Sequence, residues 1–429
     1  MKLFEQCQFV LEKNWKGTFT IPSPRLYPFQ WNWDSGFIAI GNLYLNPEKA
    51  ILEIETLFAG QWENGFLPHI IFHKADNYSS YFPSADYWNS FISSFSPKKL
   101  KTSGITQPPV HGFVLEYLLK HNFERDRLVK LFKQIVNYHK YLYDYREFND
   151  SGLVAIWHNW ESGMDNSVWW DDVLNTIPES ELTDIKLLRK DINEVKQSYK
   201  TRPKDSDYKR YLYLVNQLRD SNYERDPKTY SFQILDPVFN SILIESNASL
   251  LRVGELLNLE TSYIKSKTEQ GIESFANYLW NTEDSLYYPF DLVNQKQIKK
   301  HCSGCYMPIF AGIPSSSQID ELINSIDAAD NLVPVPSCYP NQSGFQKENY
   351  WRGPVWININ WMLWKGLLKY KKYELADKVK NSTIKLVESF GIYEYFDPYL
   401  NTESITGYGG SDFSWTASLI IDMLRSDKA

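Results

Sequence analysis

Apolar residues recur at helical spacing along almost the whole chain, and that period leaves room for little other than an architecture of packed helices. Between Arg125 and Tyr143, for example, Leu128, Leu131, Phe132, Ile135, His139 and Leu142 fall on one stripe while most charged residues fall elsewhere. Similar patterns predict helices over 178–197, 207–220, 236–257, 261–280, 318–326, 354–370, 373–390 and 411–425. Three more are expected at 47–59, 86–95 and 111–120, several opened by Asn-Pro, Asp-Pro or Gly-Pro, because proline suits the first helical position. Extended candidates are few and short, such as 286–290, and no alternation of strand and helix marks a parallel sheet. About a dozen helices joined by aromatic loops suggest an all-α fold of helical hairpins closed into a ring, with the loops of one end meeting over a central cleft.

The 429 residues contain no linker, charge run or low-complexity tract, so residues 1–429 are read as one domain. A polar insert at 196–208 between two helices is expected to act as a lid or entrance loop. A formal net charge of −7 without a basic stretch argues against nucleic acid, whose phosphates call for clustered Lys and Arg. The first residues carry no long apolar run and nothing approaches a membrane span, so a cytoplasmic chain with no membrane partner is expected. Cys7, Cys302, Cys305 and Cys338 are too few for a disulfide framework. The His301-Cys-Ser-Gly-Cys305 stretch lacks a second close ligand pair, so free thiols are expected there, with no metal and no cofactor.

The aromatic content is unusual: 15 Trp, 29 Tyr and 24 Phe, concentrated in loops that also carry carboxylates. Such rings offer an apolar face to a sugar and a polar edge to its hydroxyls, although a Trp-rich core would give the same count. Four segments stand out: Tyr27-Pro-Phe-Gln-Trp-Asn-Trp-Asp-Ser-Gly36, His158-Asn-Trp-Glu-Ser-Gly-Met-Asp165, Tyr350-Trp-Arg-Gly-Pro-Val-Trp356, and Tyr393-Glu-Tyr-Phe-Asp-Pro398 running on to Phe413-Ser-Trp415. Glycoside hydrolysis needs a protonated carboxyl for the leaving oxygen and an ionised one for water or direct attack. Asp165, among Trp157, Trp160, Trp169 and Trp170, suits the acid, because apolar walls raise a carboxyl pKa. Glu394, flanked by Tyr393 and Tyr395, suits the base; Asp397, Glu403 and Asp412 are rivals on the same loop. Asp165 could instead cap a helix. Glu161 could instead be an acid, or pair with a sugar hydroxyl, with Arg352, or in a structural ion pair. Trp31 and Trp33 alternate, so an extended loop would turn one inward and one outward.

These segments resemble glycoside hydrolase family 63 and, more loosely, the trehalases, in the right order from Tyr27 to Ala417. The resemblance implies an (α/α)6 barrel, an inverting mechanism without metal, and a small carbohydrate substrate, with Asp165 at the acid position and Glu394 at the base position. A narrower likeness is to the mannosylglycerate and glucosylglycerate hydrolases. It places Arg202 and Tyr208, in Arg202-Pro-Lys-Asp-Ser-Asp-Tyr208, where those enzymes hold the glycerate carboxylate. By the same likeness Tyr27, Trp31, Asp34, Gln107, Trp160 and Trp351 line the sugar pocket; Trp33, Glu161 and Arg352, in the same segments, are further substrate-binding candidates. The chain departs from the pattern where those hydrolases carry a Gln before the final Ser-Trp: here stand Gly409, Gly410, Ser411 and Asp412. The loop ahead of Tyr350, with Phe345, does not supply their second tyrosine. A neutral α-disaccharide hydrolase, a non-catalytic sugar-binding protein on the same scaffold and a sugar epimerase are the alternative readings.

Overall fold

The computed structural model describes residues 2–73, 81–182, 189, 191, 198–224, 230–328, 332–399 and 407–426. It is helix-rich, and most of the expected helices are present. The stripe of Arg125–Arg146 is buried throughout. Pro47–Phe58 opens on Asn46, whose side chain accepts hydrogen bonds from Glu48 N and Lys49 N; Pro237–Leu257 opens likewise on Asp236, which accepts from Val238 N and Phe239 N. The helix expected from Pro354 begins later, at Ile357, and the one expected over 86–95 is a single turn, Ala85–Trp88, followed by the 3-10 turn Ser90–Ile92. Most of the expected 178–197 helix lies outside the described residues, and its described start is a 3-10 turn, Glu179–Glu181.

Among the described residues, two long helices carry no sequence expectation: Leu3–Asn14 and Asn32–Leu45. The second is buried from Asn32 to Leu43, so it has no polar face and therefore no stripe to detect. Its Gly41 sits where the chain crosses Ser418; a Cβ there would lie 2.3 Å from Ser418 Oγ, which accepts the Gly41 N–H at 2.7 Å.

Six elements touch in sequence around a closed circuit. Asn32–Leu45 packs on His111–Leu119, which packs on Pro237–Leu257, which packs on the 3-10 helix Ser303–Ile309; that meets Ile357–Lys369, then Ser414–Arg425, which returns to Asn32–Leu45. Outside this circuit Pro47–Phe58, Arg125–Arg146, Ser262–Tyr278, Tyr373–Phe390 and Leu3–Asn14 each pack against an inner member. One continuous buried apolar cluster runs from Cys7 to Met423.

Short antiparallel strands tie the connecting loops together. Gln30–Trp31 pairs with Ile70–Phe72, which pairs with Lys101–Thr102. Ala155–Ile156, Ile234–Leu235, Phe290–Asp291 and Lys296–Gln297 form a second sheet. Tyr393–Phe396 pairs with Gly407–Ser411, with a register shift between Tyr393 and Tyr395. Among the described residues no helix is long and apolar enough to cross a membrane.

Candidate active site

Four inner helices begin at one cleft, and the segments leading into them supply much of its wall. Tyr27 and Trp31 to Asp34 lead into Asn32–Leu45, Gln107 stands ahead of His111–Leu119, Trp351 and Trp356 precede Ile357–Lys369, and Phe413 and Trp415 open the last helix. The cleft spans about 1010 Å³, counting the space open to solvent, and is also lined by Trp160, Asp165, Arg202, Tyr208 and Glu394.

The first motif divides its labour by direction. Gln30 points away from the cleft: its amide donates to the Glu53 carboxylate at 3.2 Å and to Glu53 O at 3.0 Å, and its oxygen meets His73 Nε2 at 2.9 Å. Ser35 also donates to Glu53, at 2.5 Å. With both ends anchored, Trp31, Trp33 and Asp34 are left facing the cavity; both indoles line it, because the chain turns from strand to helix between them. Gln107 Oε1 accepts the Trp33 N–H at 3.3 Å and fixes that turn.

The second motif wraps a tight turn. Gly163 has φ +74°, and a Cβ there would lie 2.4 Å from the Trp33 ring, so only glycine lets the chain pass beneath the indole and deliver Asp165. Trp160 stands on the 3-10 turn Asn159–Ser162, held edge-on by Tyr208 and Tyr211. Asp165 is not a helix cap; the next turn is capped by Ser167. Its carboxyl opens on the deep cavity, and burial pushes it up to about 8, against the lowering hydrogen bond from Tyr350. Asp34 is also held well above the usual carboxylate range, by burial and then by the charge of Glu394.

Glu394 sits among donors. It is 1% exposed and accepts from Tyr27 Oη at 2.8 Å, Arg202 Nη2 at 2.6 Å and Gly410 N at 2.8 Å. The bulge in the Tyr393–Phe396 hairpin re-aims it, and Gly409 makes the space: at φ +73° a Cβ would fall 2.1 Å from Glu394 Oε2. Asp165 and the Arg202 that holds Glu394 are linked through Tyr350, whose hydroxyl donates to Asp165 Oδ2 at 3.3 Å and whose ring lies 4.6 Å from the Arg202 guanidinium. Trp351 and Trp356 stack at 3.7 Å beside them.

Two sequence expectations need correction. Glu161 does not reach the cleft or Arg352. It pairs at 2.6 Å with Arg146, both side chains fully buried, and accepts from Trp157 N and Thr106 N. Arg352 does not line the cleft either: it makes a two-pronged bond of 2.7 Å to each oxygen of Asp171 and reaches the Gly344 and Asn166 carbonyls, tying the third motif to the second. Trp157, Trp169 and Trp170 face away too; Arg146 covers Trp157, and the other two indoles donate to Lys300 O and Met164 O. Among the rival bases, Asp397 is bound by Lys347, Asp412 pairs with Lys13 near the surface, and Glu403 lies outside the described residues. Cys302, Cys305 and Cys338 are buried free thiols, and His301 is spent on Tyr306 and a stack with Tyr339.

The cleft also contains residues that were not among the expected site residues: His69, Tyr81, Trp88, Asp191, Tyr350 and Trp356. Tyr350 and Trp356 stand in the third motif, so their position there was the available signal. His69 Nδ1 meets Ser103 Oγ at 2.5 Å, and burial holds the ring well below its usual pKa, hence neutral.

The profile of the mannosylglycerate hydrolase MGH1-like glycoside hydrolase domain matches residues 27–416. The chain belongs to this family. It is 36% identical to a mannosylglycerate hydrolase of Rubrobacter radiotolerans, over 98% of this chain and 96% of that one. It is 29% identical to a glucosylglycerate hydrolase of Mycolicibacterium hassiacum, over 99% and 98%. The crystal structure of the family 63 mannosylglycerate hydrolase of Thermus thermophilus, in complex with Tris and D-glycerate, superposes with a TM-score of 0.90 at 36% identity, over 99% of this chain and 100% of that one. As a member of the MGH1-like family, the protein is a glycoside hydrolase, and the cleft described above is the part of it that carries paired carboxylates among indoles.

Proposed function

We propose that this protein is a single (α/α)6-barrel enzyme that hydrolyses a small α-glycoside of a hydroxy acid, glucosylglycerate or mannosylglycerate, with inversion. The closed circuit of six inner elements supports the barrel, and the insert 196–208 supplies part of the entrance wall through Arg202, Pro203 and Tyr208. One observation carries the chemistry: two carboxyl groups of opposite character line one cleft, Asp165 pushed up to about 8 by burial and Glu394 held by three donors. Asp165 gives its proton to the leaving oxygen as the bond from C1 breaks. Glu394 takes a proton from the water that attacks C1 on the other face. Trp31, Trp160 and Trp351 form the sugar walls, and Asp34 and Gln107 read its hydroxyls. Arg202 and Tyr208 meet the acid group of the aglycone, since a guanidinium fork suits a carboxylate.

Sugar release from α-mannosylglycerate, α-glucosylglycerate, trehalose, kojibiose and nigerose tests this reading. The glycerates should be cleaved and the neutral disaccharides should not. Asp165→Asn and Glu394→Gln should each lower kcat by about 10²- to 10⁴-fold. Full turnover by Asp165→Asn would remove the acid, and cleavage of the disaccharides alone would remove the acidic aglycone.

A further inference from the structure

Arg202 has a second attachment that a simple substrate clamp does not need. Its Nη2 donates to Glu394 Oε2 at 2.6 Å, and its Nη1 donates at 3.0 Å to Tyr27 Oη, which itself donates to the other oxygen of Glu394. The terminal edge of the guanidinium is thus spent on the carboxylate assigned as base. The ring faces of Tyr350 and Tyr395, 4.6 and 5.7 Å from the guanidinium carbon, hold the cation in that place. Its Nε, on the side edge of the fork, is buried and has no hydrogen-bond partner among the described residues, while the side chain lines the cleft. A buried N–H without a partner costs about 1–3 kcal/mol, a cost that a ligand acceptor brought against this side chain would recover.

The position of the cation matters for the proton transfer itself. When water attacks C1, its oxygen forms the new bond, the bond from C1 to the leaving atom breaks with its electron pair, and a water proton passes to Glu394. That carboxylate becomes neutral while bonded to a guanidinium. A cation that has only Glu394 as counter-ion opposes this loss of negative charge, and the opposition is strong where water is excluded. A cation shared with a second anion opposes it less.

We infer that the carboxylate of the aglycone, docked on the Nε edge of Arg202, releases Glu394 to act as base, so that Arg202 is a positioning residue that discriminates acidic from neutral aglycones through turnover as well as through binding. This rests on the reading of the aglycone as a small acid. Binding energy from a remote part of the substrate then acts on the chemical step, which is why a substrate lacking the acid group should lose kcat.

Hydrolysis of α-mannosyl and α-glucosyl fluoride isolates the step, because fluoride departs without a proton from Asp165 and the rate reports attack of water assisted by Glu394. Glycolate added at constant ionic strength, with propanol as the neutral control, should raise kcat on the fluoride of the accepted sugar by about tenfold or more while KM changes little. In Arg202→Ala the stimulation should vanish, and in Arg202→Lys, which keeps the charge but not the fork, it should be weaker. Inhibition by glycolate, an unchanged kcat in the wild-type enzyme, or equal stimulation by propanol would overturn the inference. Cleavage of glycosylglycerates together with any of those results would sink this inference alone. Failure to cleave glycosylglycerates would sink the acidic-aglycone reading and this inference with it.

Discussion

Replacing Glu161 by Gln separates a structural carboxylate from a catalytic one. Glu161 lies four residues from the proposed acid and next to Trp160, yet its oxygens are consumed by Arg146 at 2.6 Å, Trp157 N at 2.7 Å and Thr106 N at 3.2 Å. Both members of the ion pair are fully buried, and the Arg146 guanidinium lies 4.4 Å from the Trp157 ring. An amide offers one acceptor oxygen where three donors converge, and its NH2 must face at least one of them. Removing one partner of such a pair costs about 3–5 kcal/mol, because the remaining charge stays buried without its counter-ion. With an unfolding entropy of roughly 2.1 cal/mol/K per residue, a chain of 429 residues has about 0.9 kcal/mol per kelvin at its midpoint, so Tm should fall by about 3–6 °C. Circular dichroism melts would measure the shift, and kcat/KM at 25 °C should stay within about threefold of wild type. The double variant Arg146→Met, Glu161→Met should recover part of the lost stability, since it leaves no unpaired charge. An unchanged melt with a raised KM would refute this account and return Glu161 to the sugar pocket.

Asp165, the proposed acid, can act only while protonated, and its carboxyl is pushed up to about 8, so kcat/KM should be flat near neutrality and fall as pH rises through about 8; a basic limb that survives in Asp165→Asn would assign it to another group. Gly409→Ala puts a Cβ at 2.1 Å from Glu394 Oε2 and strains a backbone at φ +73°, so kcat should drop by about 100-fold with little change in the far-ultraviolet spectrum; retained kcat would show that the base tolerates displacement. Arg352→Lys and Asp171→Asn should each lower kcat by about tenfold and the double variant by no more than either, because they break one bond between two loops; additive losses would indicate separate roles.

Most helices with a polar face were legible in the sequence, although Leu3–Asn14 was missed, and the helix that positions Trp33 and Asp34 was not legible. Arg125–Arg146 announces itself through its stripe, whereas Asn32–Leu45 is buried all round and punctuated by Gly36 and Gly41, so it reads as a loop. The Tyr393–Phe396 hairpin was hidden for a related reason: in its partner strand, Gly407–Ser411, three of the five residues are glycine and no apolar alternation shows. At the cleft, residue types marked the right segments but not the direction of each side chain. Trp160 faces the cavity and its neighbour Glu161 faces Arg146; Trp351 faces the cavity and Arg352 faces Asp171. His69 and Tyr81 carry no motif, and only the tertiary arrangement brings them to the cleft.

Proton NMR of the first sugar released from an α-glycosylglycerate tests the division of labour between Asp165 and Glu394 most directly. Water delivered by Glu394 to the face opposite the leaving group should give the β-anomer before mutarotation. The α-anomer as first product would mean that a carboxylate attacks C1 itself, and would contradict the account.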